Sequence, residues 1–359
     1  MKKIKNIISI FSLIILVCII LFSKQFYEFA VQGIGICINI LIPSLFIFLI
    51  ISEFFYRTKA LNFILKPFSF ACEKLFKIDR SIGPVIFLSL MCGYPTGANL
   101  ITNLVQKKII SKKTASRMLY FCVNAGPSLL INGISIHFSN SITFGVILLI
   151  SQITAFFVVG IFSSIGEKLE KVQNIEIKEK DFKASIALIL SVKNSIKNMA
   201  IICGFTIFFS AIINFILQLN IFDINSKFYL KPLIMGLIEV TNGAINCNQI
   251  NNINIFLILA LITSFGGLCV HMQILAITSR AKIPFKNFYL WRIIYVLVSI
   301  TTSAFIFTKF TLPTNIEQKI IKQNITIHTP IISICLLILS ITLLCCDKKV
   351  IIISRRRRK

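Results

Sequence analysis

Few residues in this 359-residue chain combine a reactive type with a telling position. Glu239 lies three residues after Gly236 and two before Thr241-Asn242-Gly243-Ala244, inside an otherwise apolar run. An ionisable group there is costly and normally faces a cavity or a partner. Glu239 therefore reads either as a coupling site for a proton or sodium ion or as the partner of a nearby cation such as Lys231. His271 and Gln273 follow the pair Gly266-Gly267. A histidine at that position can titrate near neutral pH or simply bond a neighbouring carbonyl. Asn124, Ser128 and Asn132 recur at intervals of four, which on one continuous helix makes a polar stripe facing a cavity or another helix. There is no C-x-x-C, no histidine pair at ligand spacing, no phosphate-binding glycine loop, no H-E-x-x-H and no G-x-S-x-G. No metal, no cofactor and no enzymatic activity are expected.

The stretch that must position these groups is Gly93-Tyr94-Pro95-Thr96-Gly97-Ala98-Asn99, which interrupts an apolar segment running from Gly83 to Val105. Glycine and proline make an unbroken helix expensive there. Thr96 is expected to cap a half-helix opening at Gly97-Ala98, whose N–H groups and positive dipole end suit an anion. A plain tight turn between two short helices is the competing reading. The second half answers with Thr241-Asn242-Gly243-Ala244, and each motif is preceded by a glycine, Gly93 or Gly236. A further helix-weakening point follows in each half, at Asn124-Ala125-Gly126-Pro127-Ser128 and at Ser264-Phe265-Gly266-Gly267. Paired breaks in two oppositely oriented halves are the pattern of inverted-repeat carriers.

Composition sets the surroundings. The chain is 56% hydrophobic with a mean hydropathy of +0.86, which implies a polytopic membrane protein. Its net charge of +25 lies between apolar segments, so it marks topology and membrane lipids as partners, not nucleic acid. Eight spans are expected at about 4–22, 33–55, 118–136, 141–165, 199–219, 253–277, 291–310 and 330–346, with re-entrant hairpins at about 81–106 and 229–250. The segments assigned inside, among them 280–292, then hold 32 Lys and Arg against 5 outside. Both termini are expected to be cytoplasmic. Pro43 should kink its span, residues 57–80 suit a helix lying in the interface, and Glu53 and Arg117 read as interface anchors. Most of the eleven cysteines read as small buried hydrophobes. The expected organisation is an anchor helix (1–32), a first repeat (33–165), a linker with an amphipathic helix (166–198), a second repeat (199–310), and a last helix with a basic tail (311–359).

Gly93-Tyr94-Pro95-Thr96-Gly97-Ala98, the basic loop from Lys107 to Arg117, Asn124-Ala125-Gly126-Pro127-Ser128 and Phe265-Gly266-Gly267-Leu268-Cys269-Val270-His271-Met272-Gln273 together resemble one family. It is the sporulation integral membrane proteins of endospore-forming Firmicutes, built on nucleoside recognition, or Gate, domains. The resemblance covers roughly residues 30 to 310. It implies a protein of the mother-cell or outer forespore membrane that passes the small anion dipicolinate towards the forespore. Tyr94, Thr96, Gly97, Asn124, Ser128, Thr241, Asn242, Gly266 and Gln273 would then line the substrate site, with Glu239 or His271 for coupling. Glu239 sits awkwardly beside a dianion unless it is protonated or holds a cation. A nucleoside carrier and a non-transporting scaffold for spore-envelope assembly are the alternatives. Oligomeric state is not legible.

Overall fold

The computed structural model describes residues 13, 15–58, 60–136, 142–172, 184–219, 229–247 and 253–310. The expected span at 330–346 and the basic tail lie outside them, as does most of the span at 4–22. Among the described residues the elements are helical, apart from an isolated bridge between Ile78 and Glu170. We number them α1 (Ser23–Thr58), α2 (Lys66–Phe76), α3 (Gly83–Cys92), α4 (Thr96–Gln106), α5 (Lys112–Cys122), α6 (Leu129–Ile136), α7 (Ile142–Phe162), α8 (Ala184–Gln218), α9 (Leu230–Ile238), α10 (Val240–Ile245), α11 (Ile253–Phe265), α12 (Gly267–Thr278) and α13 (Phe288–Phe310). Helices α1, α7, α8, α13 and the broken pair α11–α12 are long and apolar enough to cross a membrane. Their outward faces carry Ile47, Ile150, Ile189, Leu290 and Phe305, all exposed, a surface that water disfavours and lipid accepts. The chain is an all-α polytopic membrane protein.

Two pairs of short helices fold back on themselves. Helices α3 and α4 have 10 and 11 residues, so each arm is only about 15 to 17 Å long, half of a hydrocarbon core of about 30 Å. Gly93 turns the chain at φ +70°, and a Cβ on Gly97 would lie 3.0 Å from Ser89 Cβ. Only glycine lets the two arms come this close. In the second half α9 and α10 reverse at Glu239, and a Cβ on Gly243 would strike the backbone of Gly236. Gly236 is thus a packing contact inside α9, while Glu239 makes the break expected at the glycine.

Element order repeats between the halves: a long helix, a hairpin, a pair of helices split by a break, and another long helix. Equivalent long helices pack on one another, α1 on α8 and α7 on α13. At the first contact Gly33 admits Ile207, whose Cα would lie 2.9 Å from a Cβ at Gly33. Two expectations change here, the domain boundaries and the interface anchors, and Pro43 gains a local setting. The boundaries at 32 and 198 fall within the continuous helices α1 and α8, because the basic residues near Lys193 and Lys197 extend a helix and do not interrupt it. Pro43 is preceded by a π-type turn over Cys37–Leu41, where the Ser44 hydroxyl donates to the Ile40 carbonyl at 2.6 Å. Glu53 and Arg117 are buried instead of anchoring an interface. Glu53 accepts from Arg57 at 2.7 Å and from Asn194 of α8 at 2.9 Å. Arg117 donates to the carbonyls of Phe76 and Lys77 and so caps α2.

After α7 the chain runs back as a strap over the α4–α5 loop. Glu170 accepts from the Ser111 N–H at 2.9 Å, from the Ser111 hydroxyl at 2.7 Å and from the Thr114 hydroxyl, while Asp79 accepts from the N–H groups of Ser81 and Val172. Partial burial opposes ionisation of both carboxylates, but these bonds overcome it and hold both below the usual carboxylate range. A depressed carboxylate stabilises the fold fully above its unfolded pKa, about 4 for these groups, and loses that contribution as pH falls through the lower folded value. Protection of the amides in residues 163–172, relative to exchange in a free peptide at the same pH, is therefore expected to be high at pH 7 and to fall below about pH 4. Glu170→Gln should lower it at both values. Gly243→Ala should cost about 1–3 kcal/mol or more through overpacking. Gly204→Ala, whose Cβ meets nothing within 4 Å, should leave thermal unfolding of the detergent-solubilised protein unchanged or slightly raised.

Candidate functional site

Each hairpin tip docks on the break of its own half. The Tyr94 N–H donates to the Asn124 carbonyl at 2.7 Å, and a Cβ on Gly93 would lie 2.8 Å from that oxygen. The Asn124 amide donates to the carbonyls of Leu90 and Ala125, both at 3.2 Å. In the second half a Cβ on Gly267 would lie 2.9 Å from the Gly236 carbonyl and 3.2 Å from that of Ile238. Gly266 and Gly267, at φ +91° and +64°, supply the left-handed backbone this approach requires.

The first tip also reaches the break of the second half. The Tyr94 hydroxyl donates to the Thr263 carbonyl at 3.5 Å, and the Tyr94 ring lies 3.9 Å from the position of a Cβ on Gly266. Beside this junction is a cavity of about 20 Å³, whose polar lining is Tyr94, Thr206, Glu239, Thr241 and Gln273, closed by aliphatic side chains of α1, α8 and α12. Small-molecule pockets run from about 300 Å³ upward. This one has room for a single water or a bare cation.

Glu239 caps α10: its Oε2 accepts from the Asn242 N–H at 2.7 Å and from the Asn242 side-chain amide at 2.8 Å. The Asn242 amide also reaches the Ser210 hydroxyl of α8 at 2.6 Å. A carboxylate of the protein thus occupies the half-helix end that sequence reasoning offered to a substrate anion. The first hairpin differs. α4 begins at Thr96 with Pro95 as its cap residue and no side-chain cap, so Thr96 does not cap a helix opening at Gly97. The Thr96 hydroxyl is buried without a partner among the described residues, as is the Asn124 carbonyl oxygen Oδ1.

The remaining expected site residues scatter. Asn124 lies in the extended break before Gly126-Pro127, Ser128 bonds the Ser44 carbonyl of α1, and Asn132 is exposed, so the three share no continuous face. Proline and glycine between them end one helix and start the next. Gly97 lies against the Cys122 carbonyl. His271 Nε2 pairs with the Phe265 carbonyl at 2.9 Å, and its ring packs on Phe265, Phe288 and Tyr289. It bridges the break and does not line the cavity. Arg292, counted by sequence among the inner loop cations, is 1% exposed. Phe288 and Tyr295, four before it and three after, stack on its guanidinium; that spacing within α13 was the signal that it faces inward.

Fold and site define a polytopic α-helical membrane protein with a closed polar centre where two docked hairpins meet. Neither a family model nor a solved structure matches the chain. It is similar to the sporulation integral membrane protein YlbJ of Bacillus subtilis (strain 168), with 23% identity over 328 residues, 80% of this chain and 79% of the relative. That match supports a YlbJ-like family, in agreement with the resemblance carried by the motifs.

If Glu239 acts as a cap, Glu239→Gln should fold and unfold thermally close to the wild type, since its amide oxygen still accepts from Asn242. Glu239→Ala should cost about 1–2 kcal/mol, the loss typical of a helix cap. Thermal unfolding of the detergent-solubilised variants checks the order.

Proposed function

We propose that this chain is a sporulation membrane carrier that moves a small anion, dipicolinate, from mother cell towards forespore. The observation that supports the reading is the convergence of two broken-helix hairpins, one from each half, on a single buried polar centre. Broken helices are tolerated at membrane depth where they line a site, and transport then proceeds by rocking one unit against the other. Glu239, at the cavity, is the group we assign to proton or sodium coupling, which resolves its conflict with an anionic cargo. In this conformation the centre is closed and holds nothing larger than a water-sized species. The reading involves no chemical step, places both termini in the cytoplasm, and assigns membrane lipids as the other partner.

The test is dipicolinate in the forespore and in the whole sporangium of a strain lacking this protein. Normal synthesis with an empty forespore is expected, and Gly97→Leu, which cannot fit against the Cys122 carbonyl, should reproduce it at normal protein abundance. A forespore filled as in the wild type excludes this cargo and leaves a scaffold role.

A further inference from the structure

The molecule buries a charge that its own hydrogen bonds use only in part. The Arg292 guanidinium has Nη1 donating to the Ser264 carbonyl at 3.1 Å, while Nε and Nη2 have no partner among the described residues. These two nitrogens lie on one edge of the planar fork. That edge takes a carboxylate through two parallel hydrogen bonds. The rings of Phe288 and Tyr295 lie 5.0 and 5.1 Å from the guanidinium carbon, within cation–π range, and the edge is the unused donor surface. Among the described residues no carboxylate forms an ion pair with it. A cation buried this way is strongly unfavourable unless something of opposite charge repays its desolvation.

Its position is as informative as its bonding. Ser264, which it holds, follows Thr263, whose carbonyl receives the Tyr94 hydroxyl, so the guanidinium lies at the end of α11 beside the tip of the first hairpin. Tyr295, stacked on it, donates to the Gln152 carbonyl at 2.9 Å. The side-chain amide of Gln152 is itself fully buried, with neither its nitrogen nor its oxygen bonded among the described residues. Tyr295 thus ties the guanidinium on α13 to a segment of α7 that itself carries an unbonded buried amide.

We infer that Arg292 is the anion-recognising residue, its Nε and Nη2 edge taking a carboxylate of the cargo when the tip at Tyr94 moves away. The inference rests on the carrier reading and adds to it a division of labour. The first hairpin and Arg292 meet the anion; the second hairpin, sealed by Glu239, meets the coupling ion. Selection of a carboxylate over an uncharged nucleoside follows from the charge.

The test uses the full chain in detergent, with thermal unfolding followed against dipicolinate and against uridine. Dipicolinate should raise the unfolding temperature of the wild type, and uridine should not. Arg292→Gln should need at least tenfold more dipicolinate for the same rise, and Arg292→Lys, which keeps the charge but loses the fork, should fall between. Equal responses of wild type and Arg292→Gln would overturn the assignment, as would stabilisation of the wild type by uridine. If both variants fail to accumulate, the guanidinium belongs to the fold and the inference is likewise overturned. A wild type indifferent to dipicolinate, with a normally filled forespore in the deletion strain, removes the carrier reading itself. That result is distinct from a failure at Arg292 alone.

Discussion

A helix that stops inside an apolar medium leaves N–H and C=O groups with no water to bond, and protein must satisfy them. That requirement organises this molecule. Each of its two hairpins ends at a break, and each tip is placed against a second break in the same half; in the first half the freed groups of one serve the other. Tyr94 N–H on the Asn124 carbonyl is the plainest case. Gly267, set against the carbonyls of Gly236 and Ile238, shows the same arrangement held by close approach. Without the second break neither hairpin has a seat, and without the hairpins the polar centre has no walls.

The two halves use one architecture for different electrostatics. In the second, Glu239 folds onto the end of its own half-helix, and Asn242 ties that carboxylate to Ser210 of the neighbouring long helix. In the first, the half-helix has no side-chain cap, and a buried guanidinium stands near its tip. The protein therefore places an acidic group on one hairpin and a basic group beside the other.

The architecture was legible in the sequence because glycine and proline leave a mark that lipid exposure does not blur. Gly93-Tyr94-Pro95 and Gly266-Gly267 both break helices where they were expected to. Individual side chains were much less legible. Asn124, Ser128 and Asn132 look like one face only if the helix continues through Gly126-Pro127, and it does not. Glu239 was recognised as unusual, but its role as a cap depends on where the hairpin breaks, three residues past the glycine at which the sequence placed it. Arg292 was hidden by its position at the edge of an apolar run, where a cation is ordinarily a topology marker. Burial is a property of the assembled bundle, and periodicity within a single helix reports it only when the flanking aromatic residues are read as part of the pattern.

Helix α8 has 35 residues, about 52 Å at 1.5 Å per residue, against a hydrocarbon layer of about 30 Å. Even when tilted, it outreaches the layer by several turns, and the excess carries Lys193 and Lys197. Its inner portion contacts Asn242 through Ser210, while Asn194, four turns away, is bonded to Glu53. The helix thus spans more than the hydrocarbon layer and ties the second hairpin, at one end, to the inner end of α1, at the other.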